Sequence, residues 1–307
     1  MRVKHVSRET FRRTLKEKSK PSSKTPPSRK HAGEITRVAK TSVVTMAPTT
    51  PIYGAIQTMT RAGFRRIPIT DAGTKALEGI ITATDIVNYL GGGKKFEIIE
   101  RRYDGNFFKA INEPVILLMT QNVVSINVSA KISDAIELMR EKNLGGLPVV
   151  DDEKRVKAII TERDIVNLFA DKISNVTVSQ IMSERVVTAL PRTTLFEAER
   201  TMVMQGFRRL PVIADGKVVG IITAMDIVRF FGSGKVFKYL QSKTIMQILN
   251  TPAVEIATKE VFTIASNVDV GQASKMMREK NIGAMPVVEK GRIVGMVTER
   301  DFFKMIA

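Results

Sequence analysis

Ile132, Ala135, Ile136 and Met139 fall at i, i+3, i+4 and i+7, the single apolar stripe of an amphipathic helix. Ile52, Ala55, Ile56 and Met59 repeat the pattern. Further along, the apolar runs shorten. Pro148-Val149-Val150 and Lys157-Ala158-Ile159-Ile160 are brief and rich in β-branched residues; a glycine turn precedes the first and the polar stretch DDEK separates them. They are predicted to be consecutive strands. With an apolar run before the helix and another helix after the second strand, the predicted unit is β-α-β-β-α. A unit of roughly 55–60 residues buries too little surface to be stable by itself, so units are expected to pack in pairs and share a core.

This unit occurs four times. The anchors are GFRRIPI (Gly63 to Ile69), NLGGLPVV (Asn143 to Val150), GFRRLPVI (Gly206 to Ile213) and NIGAMPVV (Asn281 to Val288). Past each anchor comes a second signature: IITATDIV, IITERDIV, IITAMDIV and MVTERDFF. Before each lies a short run, VVTM, VVSI, VVTA or VFTI, starting at Val43, Val123, Val186 and Val261. Repeats one and three share GFRR and TAxD, whereas repeats two and four share REKN and TERD. Pro68 and Pro211 are 143 residues apart, and Pro148 and Pro286 are 138 apart, so the duplicated block is a pair of units. The fold expected is mixed α/β (α+β), with four tandem units. GGGKKF and GSGKVF lack the GxxxxGK[ST] spacing of a phosphate loop; following a helix, their glycines are expected to cap its C-terminus.

Charge changes the picture at one end. Residues 1–40 hold 13 Lys and Arg against three Glu, a net of +10, so only +7 of the total of +17 belongs to the other 267 residues. Residues 1–34 read as a basic, unfolded arm. Such an arm suits a solvated extension or the phosphates of nucleic acid, although no aromatic residues are interleaved for base stacking. The chain has no cysteine, and both histidines, His5 and His31, lie in the arm. That removes disulfides, thiolate metal sites and Cys or Ser/His catalysis from the folding body. No stretch reaches the length of a membrane span or a signal h-region, so a soluble, cytoplasmic protein is expected.

Thr82 and Asp85, Thr161 and Asp164, Thr223 and Asp226, and Thr298 and Asp301 stand three residues apart, just ahead of apolar helices. Each pair has the form of a capping box. A capping box prefers Glu or Gln, yet the acid is Asp all four times. A short carboxylate there is also placed to accept the hydroxyls of a ribose, close to free helix amides that suit phosphate.

Taken in order, the VVT run, the anchor and the T-x-x-D ending resemble the CBS domain family, over about residue 35 to residue 307. The resemblance implies two Bateman modules, 35–170 (units about 35–92 and 114–170) and 171–307 (units about 177–233 and 252–307), packed into a disc-like pseudo-dimer. It implies adenosyl ligands, AMP, ADP, ATP or S-adenosylmethionine, with Asp85, Asp164, Asp226 and Asp301 on the ribose and Thr82, Thr161, Thr223 and Thr298 beside them. The layout is similar to archaeal four-unit members and to the gamma subunit of AMP-activated protein kinase. Arg65, Arg66, Arg208 and Arg209 fall where that subunit often has a His-Arg phosphate pair. Repeats two and four have Gly145-Gly146 and Gly283-Ala284 there, and bring Arg163 and Arg300 beside the aspartate instead. Unequal sites are expected, in a monomeric disc or homodimer that is not an enzyme and reports adenine nucleotide levels to a regulated protein. The alternative is a nucleic-acid-associated factor working through residues 1–34, with the repeats as a scaffold or S-adenosylmethionine sensor.

Overall fold

The computed structural model describes residues 34–170, 174–240 and 243–305. The expected arm therefore lies outside the described residues, except for Glu34. Each repeat is built around one antiparallel hairpin: Arg66–Thr70 with Leu77–Thr82, Gly146–Val150 with Val156–Thr161, Arg209–Ala214 with Lys217–Thr223, and Ala284–Glu289 with Arg292–Thr298. An amphipathic helix precedes each hairpin, at Ile52–Ala62, Ile132–Glu141, Leu195–Gln205 and Val270–Glu279. The two stripes read from the sequence are buried as whole sets.

These helices end in a left-handed residue that turns the chain into the hairpin. Gly63 and Gly206 serve in repeats one and three at φ 68° and 69°, Asn143 and Asn281 in repeats two and four at φ 55° and 53°. The expected first strand is much reduced. Ile126–Asn127 pairs parallel with Val149 and Val150, but the other repeats keep a single parallel bridge, Met46 to Ile69, Ala189 to Val212 and Ile264 to Val287. In repeats one and three the reason is local: Pro48 and Pro191, two residues past the bridge, have no amide to extend the ladder.

The described residues form two compact units, each with its own core. One combines residues 44–123 with 187–261 and so holds repeats one and three; the other combines the described residues up to Val43 with 124–186 and Phe262 onward, and holds repeats two and four. The sequence expectation divided the chain by neighbours, at 170/171, whereas each compact unit takes one repeat from either side of that division.

In the first unit the helix Ile52–Ala62 packs on Ala224–Gly232, and Leu195–Gln205 packs on the π turn Asn88–Gly92. A Cβ at Gly92 would stand 2.8 Å from the Glu199 carbonyl oxygen and 2.7 Å from Val203. Gly92 thus permits a close helix crossing, while Gly93 caps the turn as expected, its amide donating to the Asn88 carbonyl at 3.1 Å. Gly234, at φ 75°, does terminate the helix before it, as expected. No described helix is long and apolar enough to cross a membrane.

Candidate ligand-binding site

The second hairpin strand of every repeat ends on the threonine singled out in the sequence. Its side chain and amide turn back onto the aspartate three residues on. Thr82 donates from N (3.0 Å) and Oγ1 (2.7 Å) to Asp85 Oδ2, and Thr161 donates likewise to Asp164 at 2.8 and 2.6 Å. Thr223 reaches Asp226 at 2.9 and 2.7 Å, and Thr298 reaches Asp301 at 2.8 Å from both atoms. The amides of Asp85 and Asp226 close the box by donating to the threonine hydroxyls at 3.2 Å. One oxygen, Oδ2, is thus committed to the helix cap in all four repeats.

The other oxygen distinguishes the repeats. Lys95 Nζ lies 3.4 Å from Asp85 Oδ1 and donates to the Leu118 carbonyl at 2.6 Å. Arg229 reaches Asp226 Oδ1 at 3.2 Å, with the Thr258 hydroxyl at 3.4 Å. Lys304 reaches Asp301 Oδ1 at 2.9 Å. Among the described residues Asp164 Oδ1 has no such bond. Asp164 is only 7% exposed, and burial raises its carboxyl above the ordinary range, helped by nearby Glu299 and opposed by the Thr161 hydrogen bonds and the charge of Lys40. None of these four cations was singled out from the sequence. For Arg229 and Lys304 a signal existed, since each stands at i+3 from its aspartate on the same turn. Lys95 carried none, because only the π turn at Asn88–Gly92 returns it to Asp85.

Hairpin register brings the predicted arginines to the same place. Arg66 pairs with Thr82 and Arg209 with Thr223; in repeats two and four Gly146 and Ala284 take those positions opposite Thr161 and Thr298. The carbonyls of Arg65 and Arg208 accept the first helix amides, from Ala83 and Ala224, at 2.9 Å. Repeats one and three therefore collect two arginines, a helix N-terminus and an aspartate at one end of the hairpin.

Arg163 and Arg300, expected beside phosphate, each make an ion pair. Arg163 Nε donates to Glu299 Oε1 at 2.7 Å, and Arg300 Nε donates to Glu162 Oε1 at 2.6 Å. Both guanidiniums are held by nearly buried carboxylates of the opposite repeat, which the local pattern ERD gave no means of foreseeing. Among the described residues there is no group of three or more His, Cys, Asp or Glu able to hold a metal ion.

The sequence profile of the CBS domain matches residues 32–92, 115–171, 178–233 and 253–307, most of the chain. The chain belongs to the CBS-domain family. It is 40% identical over 267 residues to the uncharacterized protein MJ1225 of Methanocaldococcus jannaschii, covering 86% of this chain and 95% of that one. The crystal structure of MJ1225, described as a candidate archaeal homolog of g-AMPK, superposes with a TM-score of 0.85 at 39% identity, over 89% of this chain and 99% of that one. An uncharacterized 33.4 kDa protein encoded in a ribosomal RNA operon of Thermofilum pendens is 32% identical over 250 residues, covering 81% of this chain and 83% of its own. Four CBS repeats in a mixed α/β chain with small sheets fit tandem Bateman modules.

Proposed function

We propose that this CBS protein is a cytoplasmic regulator that binds adenosine-containing ligands, AMP, ADP, ATP or S-adenosylmethionine, and passes their level to a partner protein without catalysing a reaction. One observation carries the reading: all four T-x-x-D aspartates spend only Oδ2 on the cap, which leaves Oδ1 as an acceptor at the end of a hairpin. In this reading ribose hydroxyls donate to Oδ1 of Asp85, Asp164, Asp226 and Asp301, beside Thr82, Thr161, Thr223 and Thr298. In the same reading Arg65, Arg66, Arg208 and Arg209 contact phosphate in repeats one and three, where planar guanidiniums suit phosphate oxygens. Lys95, Arg229 and Lys304 neutralise Oδ1 and, when a ribose takes it, are released toward the phosphate. Arg163 and Arg300, bonded to Glu299 and Glu162, are the phosphate candidates of repeats two and four. The similarity to MJ1225 and its described relation to g-AMPK support the choice of adenine nucleotides.

The test is calorimetry on nucleotide-stripped protein with AMP, ADP, ATP and S-adenosylmethionine. It is run beside Asp85→Ala/Asp226→Ala and Asp164→Ala/Asp301→Ala variants. Micromolar binding, about −8 kcal/mol, that weakens in a variant is the expected result. No heat with any ligand, in a protein that still melts cooperatively, returns the Thr–Asp pairs to simple helix caps and overturns the reading.

A further inference from the structure

Repeats two and four share two signatures that repeats one and three lack, REKN ahead of the anchor and ERD at its end. The fold joins them. Besides its bond to Glu299, Arg163 donates from Nη1 to Asn281 Oδ1; Arg300 donates to Glu162, to Asn143 Oδ1 and, at 3.3 Å, to the Asn143 carbonyl. Each repeat thus contributes a glutamate and an asparagine that accept, and an arginine that donates, so the contact reads the same from either side. Glu162 and Glu299 are 1% and 3% exposed. The asparagines occupy the left-handed turn position at which repeats one and three have Gly63 and Gly206, which offer no side-chain acceptor. At the Glu–Arg positions those repeats carry Ala83-Thr84 and Ala224-Met225, of which Ala83, Ala224 and Met225 are buried.

We propose that this crossed Glu–Arg–Asn clasp is a pairing address: it makes a repeat of the Asn/Glu-Arg type take another of the same type as its helix-side partner, and reject the Gly/Ala type. Four similar repeats offer more than one way to pair, and hydrophobic contact by itself discriminates poorly among them. Were repeat two set against repeat one or three, Glu162 would meet Thr84 or Met225 in place of Arg300 and lose its opposing guanidinium. A buried carboxylate deprived of its counter-ion strongly disfavours that arrangement. The same mismatch places Arg163 against an alanine and a glycine turn with no side-chain acceptor. Self-complementarity, with residue i meeting j and j meeting i, is the same logic that governs two-fold interfaces between chains. The proposal does not depend on ligand binding.

The test exchanges the two charged residues within repeat two alone, Glu162→Arg with Arg163→Glu. Composition and net charge are unchanged, but like charges now oppose each other across the contact. Tm is expected to fall by more than about 5 °C, and amides of residues 299–305 to lose hydrogen-exchange protection while those of 224–232 keep theirs. Adding Glu299→Arg with Arg300→Glu restores opposite charges and is expected to recover most of both losses. Should the first exchange yield no soluble chain, recovery of soluble protein on adding the second is the rescue. A first exchange that melts like the parent, or a second that brings no recovery, overturns the proposal. A further variant, Glu162→Ala/Arg163→Thr/Glu299→Ala/Arg300→Met, gives all four repeats the apolar type. It is expected to fold yet show two hydrogen-exchange populations in these segments, and a single population matching the parent overturns the address.

Discussion

The two compact units are made of the same repeat and hold it together by different means. In the unit of repeats one and three, helices cross at glycine distance over an apolar interface in which Phe107 and Phe231 pack with centroids 5.7 Å apart. In the unit of repeats two and four, the turn beside the aspartate carries the crossed Glu–Arg pairs. Steric closeness tolerates no added atom, and ionic pairing tolerates no lost partner. Each unit is therefore vulnerable to a change the other would absorb.

The largest expected effect is on the ionic side. Arg300→Ala removes the guanidinium from which the buried carboxylate of Glu162 accepts and should destabilise by about 3 kcal/mol, read by urea unfolding. Met225→Ala, at the matching position of repeat three, removes no charge partner and is expected to cost less; equal losses would erase the contrast between the units. Next comes the steric side. Gly92→Ala should cost about 1–3 kcal/mol, since the new methyl meets the Glu199 carbonyl and Val203. An unchanged midpoint would show that this crossing is slack.

A defect in the apolar unit sharpens the contrast. Glu199 is fully buried on the helix Leu195–Gln205, and neither carboxylate oxygen has a hydrogen-bond partner among the described residues. The equivalent position in repeat one is Ile56. Burial raises the Glu199 carboxyl well above its ordinary value of 4.5, so the folded state retains a proton that the unfolded chain releases. Its effect on stability is least unfavourable below pH 4.5 and worsens as pH rises toward the folded value. Glu199→Ile should stabilise by about 1–3 kcal/mol, with a gain that grows with pH over that window; a gain that stays flat with pH would mean the carboxyl is not held neutral. The smallest effect is shared by both units: Thr223→Ala removes the N-cap acceptor and should cost about 1 kcal/mol, checked by thermal melting.

Much of this was legible in the chain. The helical stripes through Met59 and Met139, the hairpins and the four Thr–Asp boxes depend on residues within a few positions of one another, where periodicity and capping chemistry act directly. The pairing of Arg66 with Thr82 and of Arg209 with Thr223 came only with the folded hairpins. The roles of Arg163 and Arg300 were not legible. Their partners lie 136 and 138 residues away, and an arginine beside an aspartate reads equally as a phosphate ligand or half of an ion pair. The buried Glu199 was hidden for a similar reason, because what surrounds it comes from Gly91 and Leu249, far away in sequence.

The sequence by itself determined that the chain is four copies of one unit built on a helix and a hairpin, that each hairpin leads into a Thr–Asp helix cap, and that the copies are of two kinds. Tertiary structure alone decided which copies share a core and which oxygen of each aspartate is left over. It also decided which cation stands on that oxygen. The division has a physical cause. Propensity and capping are set by neighbours along the chain, whereas burial and charge pairing depend on groups that meet only when distant segments fold together.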